Sequence, residues 1–228
     1  MHIIVIIGVF IAFTFFFAHY WLNKPITFLN VDNVYPFLKK IHPLRASILQ
    51  ETREILGDVK NWEDWPEKEL YDVDATKVGR TWKIFPLYAF GVWANKNCAK
   101  MPNLTKFVQS IPHLKLATLS KLSPGMKLNP HRGWGNHSNF VLRCHYGLIV
   151  PPNTCYVNVN GEARTHQNDQ WIVFDDSETH YAENRSHTDR IVLIVDIQRP
   201  VTLPKGTSQA NDTKELLEIV DYFRKTQS

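Results

Sequence analysis

The sequence predicts a mainly β domain of sandwich, jelly-roll or small-barrel type, with helices at its flanks and an apolar helix ahead of it. Three observations carry this. Between Thr81 and Pro200, short runs of strand-forming residues alternate with Pro-Gly, Pro-Pro, Asn-Gly and Asn-Asp turn signals. The chain holds 7 Trp and 13 Phe, side chains that suit a pleated, half-buried surface. And Ile3 to Leu22 contains no Asp, Glu, Lys or Arg.

That first apolar run, about 20 residues at about 1.5 Å each, would cross roughly 30 Å, the thickness of a bilayer's hydrocarbon layer. Tyr20 and Trp21 stand where an interfacial aromatic belt belongs, and Lys24 and Pro25 follow. A cleaved signal peptide would carry a basic start and a shorter apolar core. The reading is an uncleaved single-pass anchor over residues 1–24. Lys24, Lys39, Lys40 and Arg45 favour a cytoplasmic domain, whereas N-x-S/T sequons at Asn103, Asn136, Asn184 and Asn211 fit the endoplasmic reticulum lumen. The side of the membrane stays open.

Residues 25–80 form a lead-in that packs on the core. Residues 26–42 look like a connection. Leu44, Ile48, Leu49, Ile55 and Leu56 recur at helical spacing, and Gly57 is a plausible stop. Trp62, Trp65 and Trp82 mark an irregular, aromatic cover. The core, 81–204, is a succession of strands: TWKIFPLYAFGVW, LKLATLSKL, NFVLRCHYGLIV, TCYVNVN, EARTH, QWIVFDD and RIVLIVDIQ. Asn160-Gly161 between two of them is a two-residue hairpin turn. Residues 205–228 end in a helix over Asp212–Lys225, with Leu216, Leu217, Val220 and Phe223 on one side and Asp212 with Glu215 as a capping pair.

Composition excludes some function classes. At 228 residues, 44% hydrophobic and 21% charged, the chain is globular rather than disordered. A formal net charge of +4 without a block of basic residues does not ask for nucleic acid. Three cysteines, Cys98, Cys144 and Cys155, cannot make a disulfide framework.

Candidate chemistry gathers in NPHRGWGNHSNFVLRCHYGL, residues 129–148, and in FDDSETH, residues 174–180. His131 and His180 both sit at strand ends, and neutral imidazoles suit Fe(II), Zn(II) or Cu(II). Arg143 and Arg190 are embedded in apolar strands, so each needs a carboxylate. The partner is either internal (Asp175, Asp176 or Asp196) or a dicarboxylate ligand held by guanidinium forks. His145, two residues after Arg143, shares its strand face.

The ordered set SKLSPGMKLNPHRG, LRCHYGL, CYVNV, W-x-x-FDDSETH and DRIVLIVDIQRP resembles the catalytic domain of the aspartyl/asparaginyl beta-hydroxylases from about Cys98 to Pro200. The resemblance implies a double-stranded β-helix, a cupin-like jelly roll. It implies an Fe(II)- and 2-oxoglutarate-dependent dioxygenase that uses O2 to hydroxylate the β-carbon of Asp or Asn in a polypeptide. It makes His131 and His180 the metal ligands. Arg143 and His145 would engage the end of 2-oxoglutarate next to the iron, and Arg190 with Ser120 the far carboxylate. Gly133 stands where a facial triad would place its carboxylate, which water would replace, with Asp176 hydrogen-bonding that water. The loop HRGWGNHSNFVLRCH is longer than the family's spacing, and His137 within it reads as a loop histidine near solvent. Two other functions stay open: a lipid acyl-chain hydroxylase of the same superfamily, and a non-catalytic jelly-roll binding module.

Overall fold

The computed structural model describes residues 26–221 apart from 216 and 219. The expected membrane anchor, and Leu216 and Phe223 of the expected last helix, therefore lie outside the described residues. Among the described residues no helix is long and apolar enough to cross a membrane.

Two antiparallel sheets face one another. The strands in chain order are β1 (Phe28–Leu29), β2 (Glu63–Asp64), β3 (Trp82–Ala89), β4 (Val92–Trp93), β5 (Leu114–Leu122) and β6 (Val141–Ile149). They continue with β7 (Cys155–Val159), β8 (Glu162–Thr165), β9 (Trp171–Phe174), β10 (His180–Asn184) and β11 (Arg190–Gln198). The large sheet runs β1-β9-β6-β11-β5-β3-β2, with β4 on β3, and the small sheet runs β10-β7-β8. This is the jelly roll that the strand grammar predicts.

The central strand β11 shows how the sequence sorts the two faces of the large sheet. Successive side chains on a strand point to opposite sides. Ile191, Leu193, Val195 and Ile197 join the main apolar core, together with Ala117 and Leu119 of β5 and Cys144 and Tyr146 of β6. Arg190, Val192, Ile194 and Asp196 face the other way. The register sets Asp196 beside Arg143, Ile194 beside His145 and Val192 beside Ser120. One face is thus a plain hydrophobic layer, and the other carries the polar residues singled out above.

Helical elements cover the apolar face: a 3-10 stretch Pro36–Leu44, α1 (Arg45–Leu56) and α2 (Pro102–Gln109). Leu38, Ile41, Ile48, Leu104 and Phe107 are buried there. Helix α1 starts and stops where the sequence predicts. Residues 26–42 are more than a connection, since they supply β1, paired to β9, and most of the 3-10 stretch. The run TWKIFPLYAFGVW is a hairpin rather than one strand, because Phe90 and Gly91 both turn at positive φ (51° and 87°). Asn160 (49°) and Gly161 (85°) make the expected two-residue turn between β7 and β8.

Helix α2 was not foreseen. It has Pro102 in its first turn, which needs no backbone donor there. Its cap comes from a distant residue. Glu51 on α1 accepts from Asn103 N (2.8 Å), Asn103 Nδ2 (2.6 Å) and Leu104 N (3.1 Å). At the other end of the domain, the described residues from 214 to 221 are helical. Asp212, expected to cap them, instead accepts from Asn136 Nδ2 at 3.1 Å. The sequon at Asn184 is buried, its amide nitrogen donating to Leu122 O, Ser123 O and Thr188 O, which leaves no room for a glycan.

Glu51→Ala leaves first-turn N–H groups of α2 without their acceptor and is expected to cost about 2 kcal/mol of folding stability. Urea denaturation measures this; a loss below about 0.5 kcal/mol, the ordinary surface range, would remove Glu51 as the clamp between the two helices.

Candidate active site

His131 and His180 meet through their backbones. Each donates its N–H to the other's carbonyl, at 2.9 and 2.8 Å, in an isolated antiparallel bridge that ties the segment after β5 to the start of β10. The rings lie 4.4 Å apart between centroids. Each Nδ1 is 2.8 Å from the carbonyl two residues upstream, Asn129 O for His131 and Glu178 O for His180. A carbonyl only accepts, so both Nδ1 atoms carry the proton and both Nε2 atoms keep a lone pair. Burial pushes His131 down to about 3, with His180 adding to it. Burial, followed by Arg143, pushes His180 down to about 4. Two neutral imidazoles with matched tautomers are what a metal ligand pair requires. Among the described residues, no group of three or more His, Cys, Asp or Glu is placed to hold a metal. The donor set stops at two.

Gly133 explains the missing third. A Cβ there would sit 2.0 Å from Asp176 Oδ2. Gly133 N also donates to Asp176 O at 2.9 Å. The space of a carboxylate at position 133 is thus filled by the carboxylate of Asp176, arriving from the turn between β9 and β10. Asp176 Oδ1 lies 2.5 Å from Arg143 Nη1, a charge contact without an aligned hydrogen bond, and 3.3 Å from the Nε2 of the neutral His180 ring. Burial raises the Asp176 carboxyl above its ordinary range despite Arg143.

The two arginines have opposite fates. Arg143 forms a fork with Asp196, Nε to Oδ1 at 2.8 Å and Nη2 to Oδ2 at 2.7 Å. Burial would raise Asp196, but Arg143 and His137 hold it well below the usual carboxylate range. Internal partners therefore satisfy Arg143, although it still lines the deep pocket between the sheets. Arg190 is 1% exposed, and among the described residues its Nε and Nη1 have no hydrogen-bond partner. Burial pushes it down to about 10. It lines the same pocket as Ser120, His145, His131 and His180. Ser120 Oγ accepts from Trp82 Nε1 at 3.0 Å, which leaves its own proton to give away. The face of the sheet thus ends in an unpaired guanidinium and a hydroxyl, across a buried space from two free imidazole nitrogens.

His137 is a correction. It is not a solvent-side passenger: its Nε2 lies 2.8 Å from Asp196 Oδ2, its side chain is 12% exposed, and Phe90 packs edge-on against its ring. The lengthened loop brings it back onto the Arg143–Asp196 pair. Sequence reasoning also passed over Glu67 and His166. Buried Glu67 accepts from Trp65 Nε1, Trp134 Nε1 and Thr213 Oγ1 at 3.1, 2.8 and 2.9 Å. It shapes a cleft of about 240 Å³ that opens on His131, Arg132 and Asp176. Trp65 stacks on both Trp82 and Trp134 along its wall. Only the tryptophan cluster signalled this cleft in advance.

A double-stranded β-helix with paired imidazoles at the mouth of its deep pocket defines the class as cupin-like. The chain belongs to the aspartyl/asparaginyl beta-hydroxylase family, whose family model matches residues 45–200. It is 38% identical over 135 residues to an ornithine lipid ester-linked acyl 2-hydroxylase of Rhizobium tropici, covering 58% of this chain and 47% of the relative. It is 31% identical over 165 residues to aspartate beta-hydroxylase domain-containing protein 2 of Xenopus tropicalis, covering 68% and 42%. It is 26% identical over 129 residues to human aspartyl/asparaginyl beta-hydroxylase, covering 54% and 17%. The chain thus spans less than half the length of these relatives. Among solved structures, a Trichoplax adhaerens prolyl hydroxylase in complex with a hypoxia inducible factor peptide aligns over 69% of this chain and 79% of its own, at 12% identity and a TM-score of 0.48.

Two expectations follow from the geometry. Gly133→Ala forces Asp176 off its position and should cost about 1–3 kcal/mol as overpacking does; an unchanged urea midpoint would mean that the Asp176 carboxylate is free to move. Metal-free protein should lose stability as pH falls from 7 to 5. The buried imidazoles stay neutral while the unfolded chain gains protons below about 6.5, at about 2 kcal/mol for each imidazole still neutral at pH 5. Urea midpoints across that range measure it, and a flat profile would show that these histidines take up protons in the folded state.

Proposed function

We propose that this chain is an Fe(II)- and 2-oxoglutarate-dependent dioxygenase that hydroxylates an unactivated carbon, with Asp or Asn side chains of a polypeptide as the first substrate class. One observation carries the reading: the buried, unpaired guanidinium of Arg190 on the far wall from the free Nε2 atoms of His131 and His180. A buried arginine without a carboxylate is costly, and a dicarboxylate ligand supplies the missing partner.

His131 and His180 would hold the iron through Nε2, their rings kept in orientation by the carbonyls at Nδ1. Ser120 and Arg190 would take the far carboxylate of 2-oxoglutarate, and Arg143 with His145 would border its near end. With iron bound there, O2 and 2-oxoglutarate would supply the oxidising power: 2-oxoglutarate would leave as succinate and CO2, one oxygen atom of O2 going into succinate and the other onto the substrate. Asp176 would fix water beside the histidine pair. The stacked walls of Trp65, Trp82 and Trp134 limit access, so that the substrate enters along one cleft. Arg132, exposed at its lip and 3.5 Å from Glu178 Oε2, would have to share its guanidinium between Glu178 and a substrate carboxylate.

A second reading, acyl-chain hydroxylation, is favoured by two observations. The cleft wall is tryptophan, which suits an alkyl chain, and the rhizobial lipid hydroxylase is more similar to this chain than the human protein hydroxylase is. An anchor over residues 1–24 would serve that reading by holding the cleft at a membrane.

The test is purified protein with Fe(II), 2-oxoglutarate and either Asp- and Asn-containing peptides or extracted lipids. Succinate release with a one-oxygen mass gain is expected, and the class that gains the oxygen decides the substrate. His180→Ala should be silent, and its normal turnover would sink the ligand assignment. Arg190→Met should weaken 2-oxoglutarate binding by about 30-fold or more, as truncating one partner of a buried charge pair does.

A further inference from the structure

The wall of the deep pocket nearest β6 carries His145, and behind it stands a second histidine, His166, with no role so far. His145 projects from β6 on the face shared with Arg143, opposite Ile194 of β11. His166 follows β8, where its N–H donates to Cys155 O at 2.8 Å. The two rings lie edge to edge, nearly coplanar at 17° with centroids 5.3 Å apart, and His166 Nε2 lies 3.0 Å from His145 Nδ1. Phe174 closes the other side of His145 edge-on at 5.0 Å. Both imidazoles are buried. Burial holds both well below the ordinary histidine range; His166 itself, then Arg190 and Arg143, add to this at His145, and Arg190 adds to it at His166. Among the described residues, His145 Nε2 has no hydrogen-bond partner, and His145 lines the pocket beside Arg190.

Two neutral imidazoles that share one N–H···N bond have two arrangements. In the first, His145 Nδ1 donates to His166, and His145 Nε2 is a bare lone pair. In the second, His166 Nε2 donates, His145 Nδ1 accepts, and His145 Nε2 carries the proton. Carboxylate and keto oxygens accept hydrogen bonds and donate none. Against such a ligand the first arrangement sets lone pair against lone pair, and only the second makes a bond. We propose that His166 is a positioning residue: by donating to His145 Nδ1 it holds His145 in the Nε2–H tautomer, which turns this wall of the pocket into a donor for the dicarboxylate. The inference rests on the reading of the deep pocket as a 2-oxoglutarate site, and extends it to a residue outside that pocket's lining.

The test is the Kd for 2-oxoglutarate of the Fe(II)-loaded full chain under anaerobic conditions, by calorimetry. His166→Phe keeps an aromatic ring in the space and removes the donor; it should weaken binding by about 10- to 100-fold, the range of one lost bond to a charged acceptor. His166→Gln places an amide N–H near the position of Nε2 and should stay within about threefold of wild type. In a His145→Ala background, His166→Phe should add nothing, because its effect runs through His145. Equal losses for Phe and Gln, or an undiminished loss in the His145→Ala background, would reduce His166 to packing and overturn the proposal. So would a wild-type Kd in His166→Phe. Should His166→Phe not fold, nitrogen NMR shifts of His145 in the Zn(II)-loaded wild-type protein with 2-oxoglutarate decide. An Nε2–H neutral ring supports the proposal, whereas an Nδ1–H ring or an imidazolium overturns it. A wild-type chain that binds no 2-oxoglutarate would overturn the reading of the pocket itself and this inference with it. Wild-type binding that ignores His166→Phe overturns this inference alone.

Discussion

The polar interior of this domain depends on one buried ion pair, Arg143 with Asp196. It joins the two central strands β6 and β11 side chain to side chain, at 2.8 and 2.7 Å, on the face turned toward the small sheet. Desolvating both groups costs several kcal/mol, which the fork recovers only because its geometry is bidentate and further partners complete it. His137 supplies one such partner from the loop, and Asp176 another from the segment after β9. Asp176 then reaches His180, and its oxygen occupies the room above Gly133. Through Asp176 and His137 the pair is thus linked to His180 and to the loop that follows His131.

Beside that satisfied charge stands an unsatisfied one. Arg143 and Arg190 sit on neighbouring strands, yet among the described residues one meets two carboxylates and the other none. Such an asymmetry within a single pocket is hard to explain by folding alone, since an unpartnered buried guanidinium works against stability. It is readily explained by a ligand that brings its own carboxylate. The same holds for the imidazoles: backbone carbonyls commit the Nδ1 atoms of His131 and His180, and their Nε2 atoms are left to bind something else.

Much of the fold was legible. Short strand-forming runs between turn signals marked β5, β6 and β11, the Asn160-Gly161 turn marked the β7–β8 hairpin, and helical spacing with Gly57 marked α1. What failed to show was structure stabilised from a distance. Helix α2 is short and is capped by Glu51 from another element, so nothing local announced it. The break at Phe90-Gly91 lies inside an unbroken aromatic run, and only the backbone reveals it as a turn. At the site, His131, His180, Arg190 and Ser120 were named from sequence and do converge on one pocket. His137, read as peripheral, was misjudged because a loop's return path is invisible along the chain.

The sequence by itself determined a mainly β domain of sandwich, jelly-roll or small-barrel type, which its family resemblance narrowed to a jelly roll, and which histidines, arginines and serine could carry chemistry on it. It did so because strand-forming runs, turn signals and embedded charges are local patterns. The tertiary structure alone decided which of the two arginines is spent internally, why position 133 must be glycine, and that His137 and His166 belong to the site's supporting contacts. Those outcomes depend on which groups from strands far apart in the chain come within 3 Å or so of one another, at the distances where hydrogen bonds form. No residue carries that information alone. It arises when β6, β9 and β11 pair.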